Sequence, residues 1–240
     1  MRVKRVLRWM WVLALGSLAL CRVEAADLRV LVDTSASMPY ARFEGGELRA
    51  GLSRDLGLEL ARRLGREVQF VPVARKRLAA TLQAGQADLV CGYASHWLSG
   101  PFQWSRPMAQ HEDILITRAD AAAPRSLSDV ADQAVGAIAG FRYAGIERQL
   151  GARFIRDDGP DAQALLRRLA AKRISHAIVS RSYLEFQRQQ GNFTQALHPP
   201  LQVDKVALRC ALAQGADLSL AQLDETLSAM QKDGFLQHLP

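Results

Sequence analysis

Leu28-Arg29-Val30-Leu31-Val32 is a short β-rich run, and Asp33-Thr34-Ser35-Ala36-Ser37 after it is turn-forming. Gly45-Gly46 reads as a loop. Leu52, Leu56, Leu60 and Leu64 then recur at helical spacing, and Gly65 marks the end of that helix. Val68-Gln69-Phe70-Val71 predicts a second strand. Leu78 to Ala84 predicts a helix stopped at Gly85, and Asp88-Leu89-Val90-Cys91-Gly92 a third strand. An order of β-α-β-α-β argues for an α/β unit with parallel strands.

The pattern repeats in outline. Ile114-Leu115-Ile116 predicts a strand, followed by a break at Ala121-Ala122-Ala123-Pro124 and a short helix from Leu127 to Val130. Ala134 to Ile138 predicts a strand ending near Gly140. Helices are expected over 144–150 and 161–171, and a strand over 177–179. His198-Pro199-Pro200 is a connector, Val206 to Leu212 a further strand, and Leu218 to Asp233 an amphipathic C-terminal helix. Two similar α/β lobes, with the chain returning to the first, are the economical architecture. Residues 26–113 and 203–240 would form lobe one and residues 114–202 lobe two. A ligand cleft would lie between them at the carboxyl ends of strands.

The chain has 240 residues and a formal net charge of +7, which invites a nucleic-acid reading. Its placement changes that picture. Arg2, Lys4, Arg5 and Arg8 precede an apolar run from Trp9 to Cys21, and Val23-Glu24-Ala25 offers a cleavage site before Ala26. This is the pattern of a secretory signal peptide over residues 1–25, and the run is shorter than the ~20 residues of a membrane span. An uncleaved anchor is the alternative. Leu18-Ala19-Leu20-Cys21 departs from a lipidation site, which wants a small residue where Leu20 stands. Without residues 1–25 the basic residues fall from 31 to 26 and the acidic from 24 to 23, so +7 becomes +3. No run of five like charges remains, and nucleic acid loses its support as a partner. Of three cysteines, Cys91 and Cys210 remain. They could pair in an oxidising compartment, or stand as two small buried hydrophobes.

Four segments carry a resemblance. They are Leu28-Arg29-Val30 leading to Met38-Pro39-Tyr40; Gly51 to Leu56 with Leu60 to Gly65; Leu82-Gln83-Ala84-Gly85-Gln86-Ala87-Asp88-Leu89-Val90; and Trp104-Ser105-Arg106-Pro107. Ser126 to Val130, Val135-Gly136 and Gly140 match more loosely. Their order over residues 27–239 resembles extracellular solute-binding protein family 3. The resemblance implies a two-lobed type II periplasmic-binding-protein fold, a periplasmic location, and delivery of polar amino acids or similar solutes to an ABC transporter. It implies a monomer with no cofactor.

The departures from that family bear on the ligand. Its members place an arginine after the Asp-Leu strand for the ligand carboxylate, and residues 93–105 here contain none. The acid that takes the ligand amine is replaced by Arg181. Ser37 and Arg75 stand where sandwiching aromatics are expected, and Phe141-Arg142-Tyr143 follows Gly140 in place of a threonine. The resemblance thus directs Arg75, Arg142 and Arg181 toward the cleft, where guanidinium forks suit a carboxylate or phosphate. Tyr93, Trp97 and Tyr143 would supply flat walls. The backbone N–H groups of Gly140-Phe141-Arg142 could face an anion, or form a plain strand-to-helix turn. An anionic or dicarboxylate-like solute is expected. The alternative is that the arginines are solvated or paired with Glu44, Glu112, Asp157 or Asp158.

Three functions compete. A periplasmic binding protein would dock on an ABC permease. A sensory module would act on a membrane signalling protein, and degenerate ligand residues favour it. A dehydratase-like enzyme on the same fold would need a proton-donating acid, with Glu44, Glu112 and Asp157 as candidates. His96, His111, His176, His198 and His238 show no metal-ligand spacing, and no C-x-x-C, P-loop or H-E-x-x-H is present.

Overall fold

β1 (Leu28–Asp33) buries every side chain except Arg29, as a parallel strand covered on both faces must. The computed structural model that shows this describes residues 26–238, so the export signal expected over 1–25 lies outside the described residues. A hairpin follows, β2 (Arg42–Glu44) and β3 (Glu47–Ala50), turning at Gly45-Gly46. Then come α1 (Leu52–Leu64), β4 (Val68–Val73), α2 (Leu78–Gln83) and β5 (Leu89–Tyr93). β1 pairs in parallel with both β4 and β5. The chain continues through β6 (Gln103–Trp104), β7 (Ala109–Thr117), β8 (Ala134–Ile138), α3 (Ala144–Leu150) and β9 (Ile155–Gly159). It ends with α4 (Ala162–Ala170), β10 (His176–Ser180), α5 (Arg181–Gln189), β11 (Leu201–Leu212) and α6 (Leu220–Lys232).

The strand order is β4-β1-β5-β11-β7-β10-β8-β9, with β6 on β11. β11 pairs with β7 through residues 201–208. It then slips register between Arg209 and Cys210 and pairs with β5 through residues 209–212. β7 and β11 therefore run from one lobe into the other. Each lobe has its own core on both faces of its part of the sheet. In the first, Leu28, Val30, Leu56 and Leu60 meet Leu223, Leu227 and Met230 of α6, while Leu31, Leu78, Leu82 and Val90 pack on the opposite face. In the second, Ile114, Ile116, Leu165, Leu169 and Val179 form one cluster, and Leu115, Val135, Ile146 and Ile178 the other.

Two local devices hold lobe one together. Asp88 is buried and takes the Arg29 backbone N–H at 2.8 Å and its guanidinium at 2.6 Å. The acid of the Gly-x-x-Asp-Leu segment thus ties β5 to β1. On the far side, Glu59 of α1 accepts from Arg62 and Arg63, and Arg63 reaches Asp233 after α6 at 2.6 Å. Hydrogen bonding from Arg62, against the cost of burial and aided by Arg63, holds the Glu59 carboxyl at about 2. A depressed carboxyl stabilises the fold above its ordinary range near 4.5, and that contribution is lost as pH falls toward 2. Urea unfolding at pH 5 is expected to show Glu59→Gln less stable than the parent. At pH 2 the gap should close; a gap of unchanged size at pH 2 would exclude this ion-pair cluster as the source.

Cys91 of β5 faces Cys210 of β11 directly across the strand pair, and the two sulfurs form a disulfide.

Candidate functional site

The carboxyl ends of the strands bring the chemistry together, as the parallel connectivity dictates. Lobe one contributes Asp33 at the end of β1, Arg75 in the turn after β4, and Tyr93 at the end of β5. It also contributes Tyr40, held beside the start of α1. Gly51 sits at φ +106°, and a β-carbon there would lie 2.7 Å from the Tyr40 carbonyl oxygen. With glycine in that place, the Leu52 and Ser53 N–H groups donate to the Pro39 and Tyr40 carbonyls, each at 2.9 Å. Lobe two contributes Phe141 after β8, and Ser180 and Ser182 where β10 turns into α5.

Asp33 is the anchor. It is 8% exposed. Its Oδ1 accepts from the Ser35 N–H at 2.9 Å and the Ser35 hydroxyl at 2.6 Å. Its Oδ2 accepts from the Tyr93 hydroxyl at 3.3 Å and lies 3.5 Å from Arg75 Nη1. Burial, and then the Asp33 carboxylate beside it, pushes the Tyr93 phenol well above its ordinary range, so it stays a neutral donor. The Arg75 guanidinium lies 5.6 Å from the centre of the Tyr93 ring and 4.4 Å from that of Phe141, so it bridges the lobes. A second bridge is made by hydroxyls. Tyr40 Oη is 2.8 Å from Ser180 Oγ and 2.6 Å from Ser182 Oγ. Burial also raises the Tyr40 phenol, which stays protonated.

The remaining residues named from sequence fall in varied places. Arg181 lies at the mouth of β10 and forms a two-point ion pair with Glu112, at 2.6 and 3.2 Å. Arg142 is 85% exposed and pairs with Glu147 at 2.8 Å. Tyr143 is fully buried in the second lobe, with its hydroxyl accepting from the Ile138 N–H at 3.1 Å. Trp97 is half-buried and meets the His111 ring edge-on at 5.1 Å, while His111 Nε2 lies 3.0 Å from Asp113. The structure therefore brings Arg75 and Tyr93 together, with Trp97 beside the crossing strand β7. Arg142 and Tyr143 lie on the outside and in the core of lobe two.

Among the carboxyls considered for proton donation, Glu112 is held below its ordinary range by Arg181, the direction opposite to that needed by an acid at neutral pH. Glu44 pairs with Arg42 on the exposed hairpin, and Asp157 pairs with Arg168. Sequence reasoning does not find Asp33, Tyr40, Ser180 and Ser182 as site residues, and it offers Phe141 only for its backbone N–H, not for the ring that meets Arg75. Asp33 carries only a turn signal, and the serines only that of a strand end. Two cavities of about 470 Å³ lie on lobe one, one beside Asp217 and Leu220 and one along α1 beside Phe235. Neither touches these residues. Among the described residues no group of three His, Cys, Asp or Glu could hold a metal ion, and no helix is long and apolar enough to cross a membrane.

Comparison with known proteins places this arrangement. A putative binding component of an ABC transporter from Wolinella succinogenes, complexed with lysine, superposes with a TM-score of 0.72 at 16% identity, covering 88% of this chain and 92% of that one. An amino acid ABC transporter substrate-binding protein from Streptococcus pneumoniae, bound to L-arginine, gives 0.67 at 20% identity, covering 89% and 92%. An ancestral amino acid-binding protein described as a precursor of cyclohexadienyl dehydratase gives 0.69 at 19%, covering 88% and 92%. At these identities the likeness establishes the type II periplasmic-binding-protein fold. No curated protein sequence matches the chain. The sequence pattern of one family matches residues 28–240, so the chain belongs to the bacterial extracellular solute-binding proteins, family 3.

Proposed function

We propose that this chain is an exported, monomeric solute-binding protein. It takes a small anionic or amino-acid-like solute between lobes of residues 26–113 with 203–240 and residues 114–202, and passes it to an ABC permease. The permease reading is supported by the family and by the ABC transporter proteins of like fold. The anion reading rests on Arg75. Of the three candidate arginines, Arg142 and Arg181 spend hydrogen bonds on Glu147 and Glu112. The Arg75 guanidinium makes one 3.5 Å ion-pair contact and, among the described residues, no hydrogen bond. Its remaining N–H donors are open to a carboxylate, with the Tyr40, Ser180 and Ser182 hydroxyls on a second inter-lobe bridge.

Thermal-shift screening of residues 26–240 tests this. A fitting organic anion present at a hundred times its Kd is expected to stabilise by about 2.7 kcal/mol. Strong stabilisation by neutral or basic amino acids, with none by organic anions, would overturn the anion reading.

A further inference from the structure

We infer that Arg75 is the specificity-determining residue of the cleft: its own guanidinium fills a cation place formed by Asp33, Tyr93 and Phe141, and so bars cationic solutes. The inference rests on the reading of this cleft as a solute site, and deepens it.

The surroundings of Arg75 are those of a cation receptor. One wall is a buried carboxylate, with one oxygen occupied by the two Ser35 donors and the other shared by Tyr93 and Arg75. Two aromatic faces flank the guanidinium, Tyr93 from the first lobe and Phe141 from the second. A buried carboxylate beside two π faces favours a positive charge between those faces, and leaving that carboxylate unpaired would be costly. The turn that supplies the cation is Arg75-Lys76-Arg77. Lys76 and Arg77 are exposed, while Arg75 turns inward and is 39% exposed. A free ammonium or guanidinium solute would have to displace a side chain tethered to the same lobe, which competes at high effective concentration. An anion meets no such competitor and finds the outward donors of the same guanidinium. The Tyr40–Ser180–Ser182 bridge is independent of Arg75, so the two lobes keep a contact when Arg75 is cut back.

Cutting Arg75 back to the β-carbon removes a group of the size and charge of ethylguanidinium. Arg75→Ala is expected to bind ethylguanidinium with a Kd of about 1 mM by calorimetry, while the parent protein binds it at least about tenfold more weakly. Arg75→Ser is expected to behave as Arg75→Ala does, which guards against one misfolded variant; circular dichroism reports the folded state of each. Asp33→Asn added to either truncation should weaken ethylguanidinium by about tenfold. Arg75→Lys, which keeps a tethered cation, should stay refractory. Equal binding by parent and truncated proteins, no binding by folded truncated proteins, or indifference to Asp33→Asn would each overturn the inference. Failure of these variants leaves the anion screen of the parent protein standing, and failure of that screen leaves the ethylguanidinium result standing.

Discussion

Gly145→Ala is expected to destabilise the protein by about 3 kcal/mol and lower its melting temperature by about 10 °C. Gly145 is the second residue of α3, where it packs on β11. A β-carbon there would sit 1.9 Å from the Val203 carbonyl oxygen and 3.0 Å from its carbonyl carbon. Val203 lies where β11 slips register against β7, between Gln202 and Asp204, and the bulge brings its carbonyl to the helix. Both partners in the clash are backbone, so no rotamer change relieves it. Helix propensity alone would favour alanine over glycine by about 1 kcal/mol, the wrong sign and too small to win. The cost therefore measures how far α3 or the strand that joins the lobes must move. Gly215 is the control: a β-carbon there would meet nothing within 4 Å, its backbone is not left-handed, and Gly215→Ala should be near neutral. Denaturant unfolding of the two variants decides it: Gly145→Ala as stable as Gly215→Ala would mean that α3 does not pack closely on β11.

The elements that periodicity predicts well are those wholly inside one lobe. α1, β8 and α3 begin and end where the pattern places them, because the two helices each bury one steady face and β8 is a continuous buried run. The crossing strands read short for the same reason in reverse. β7 begins with Ala-Gln-His-Glu-Asp and β11 with Leu-Gln-Val-Asp-Lys. The first half of β7 is unburied and carries no apolar run; β11 touches the second lobe's core through Leu201 and Val203, then runs unburied through residues 204–207 before entering the first lobe's core, so neither shows one continuous strand pattern. β9, Ile-Arg-Asp-Asp-Gly at the sheet edge, and the short hairpin strands show no strand pattern at all. α5 starts immediately after β10, with Ser180 as both strand end and helix cap, so the boundary has no loop to announce it. The site is legible in its lobe-one part. Arg75 follows β4 and Tyr93 ends β5, the two strands that flank β1 in parallel, so their carboxyl ends open on the same edge of the sheet as Asp33. Phe141 and the Ser180–Ser182 pair become site residues only through the inter-lobe contact, which no local pattern records. Asp33 looks like a turn residue because it is one: its carboxylate holds the Ser35 turn and the Arg75 cation at once.

Replacing Cys91 and Cys210 together by alanine is expected to cost about 4 kcal/mol. The bond closes a loop of 119 residues, spanning all of lobe two, and a long loop restricts the unfolded chain most. Cys210 is fully buried, in the cluster that joins β1, α1 and α6 and in contact with Met108, so alanine avoids adding a hydroxyl to that core. The bond ties β5 to the last strand just past the register slip, at the point where the chain has returned from the second lobe. Its loss should therefore loosen the C-terminal end of β11 and α6 before the rest of lobe one. Hydrogen exchange is expected to show that order, with amides of residues 210–232 losing protection ahead of those of β1 and β4. Mass spectrometry of the non-reduced, digested protein should yield the Cys91–Cys210 cross-linked peptide. Urea unfolding with and without a phosphine reductant gives the energy, and the double-alanine protein should be indifferent to the reductant. A parent protein whose stability is equally indifferent would show that the bond carries no stability, and that the packing of α6 alone returns the chain to its first lobe.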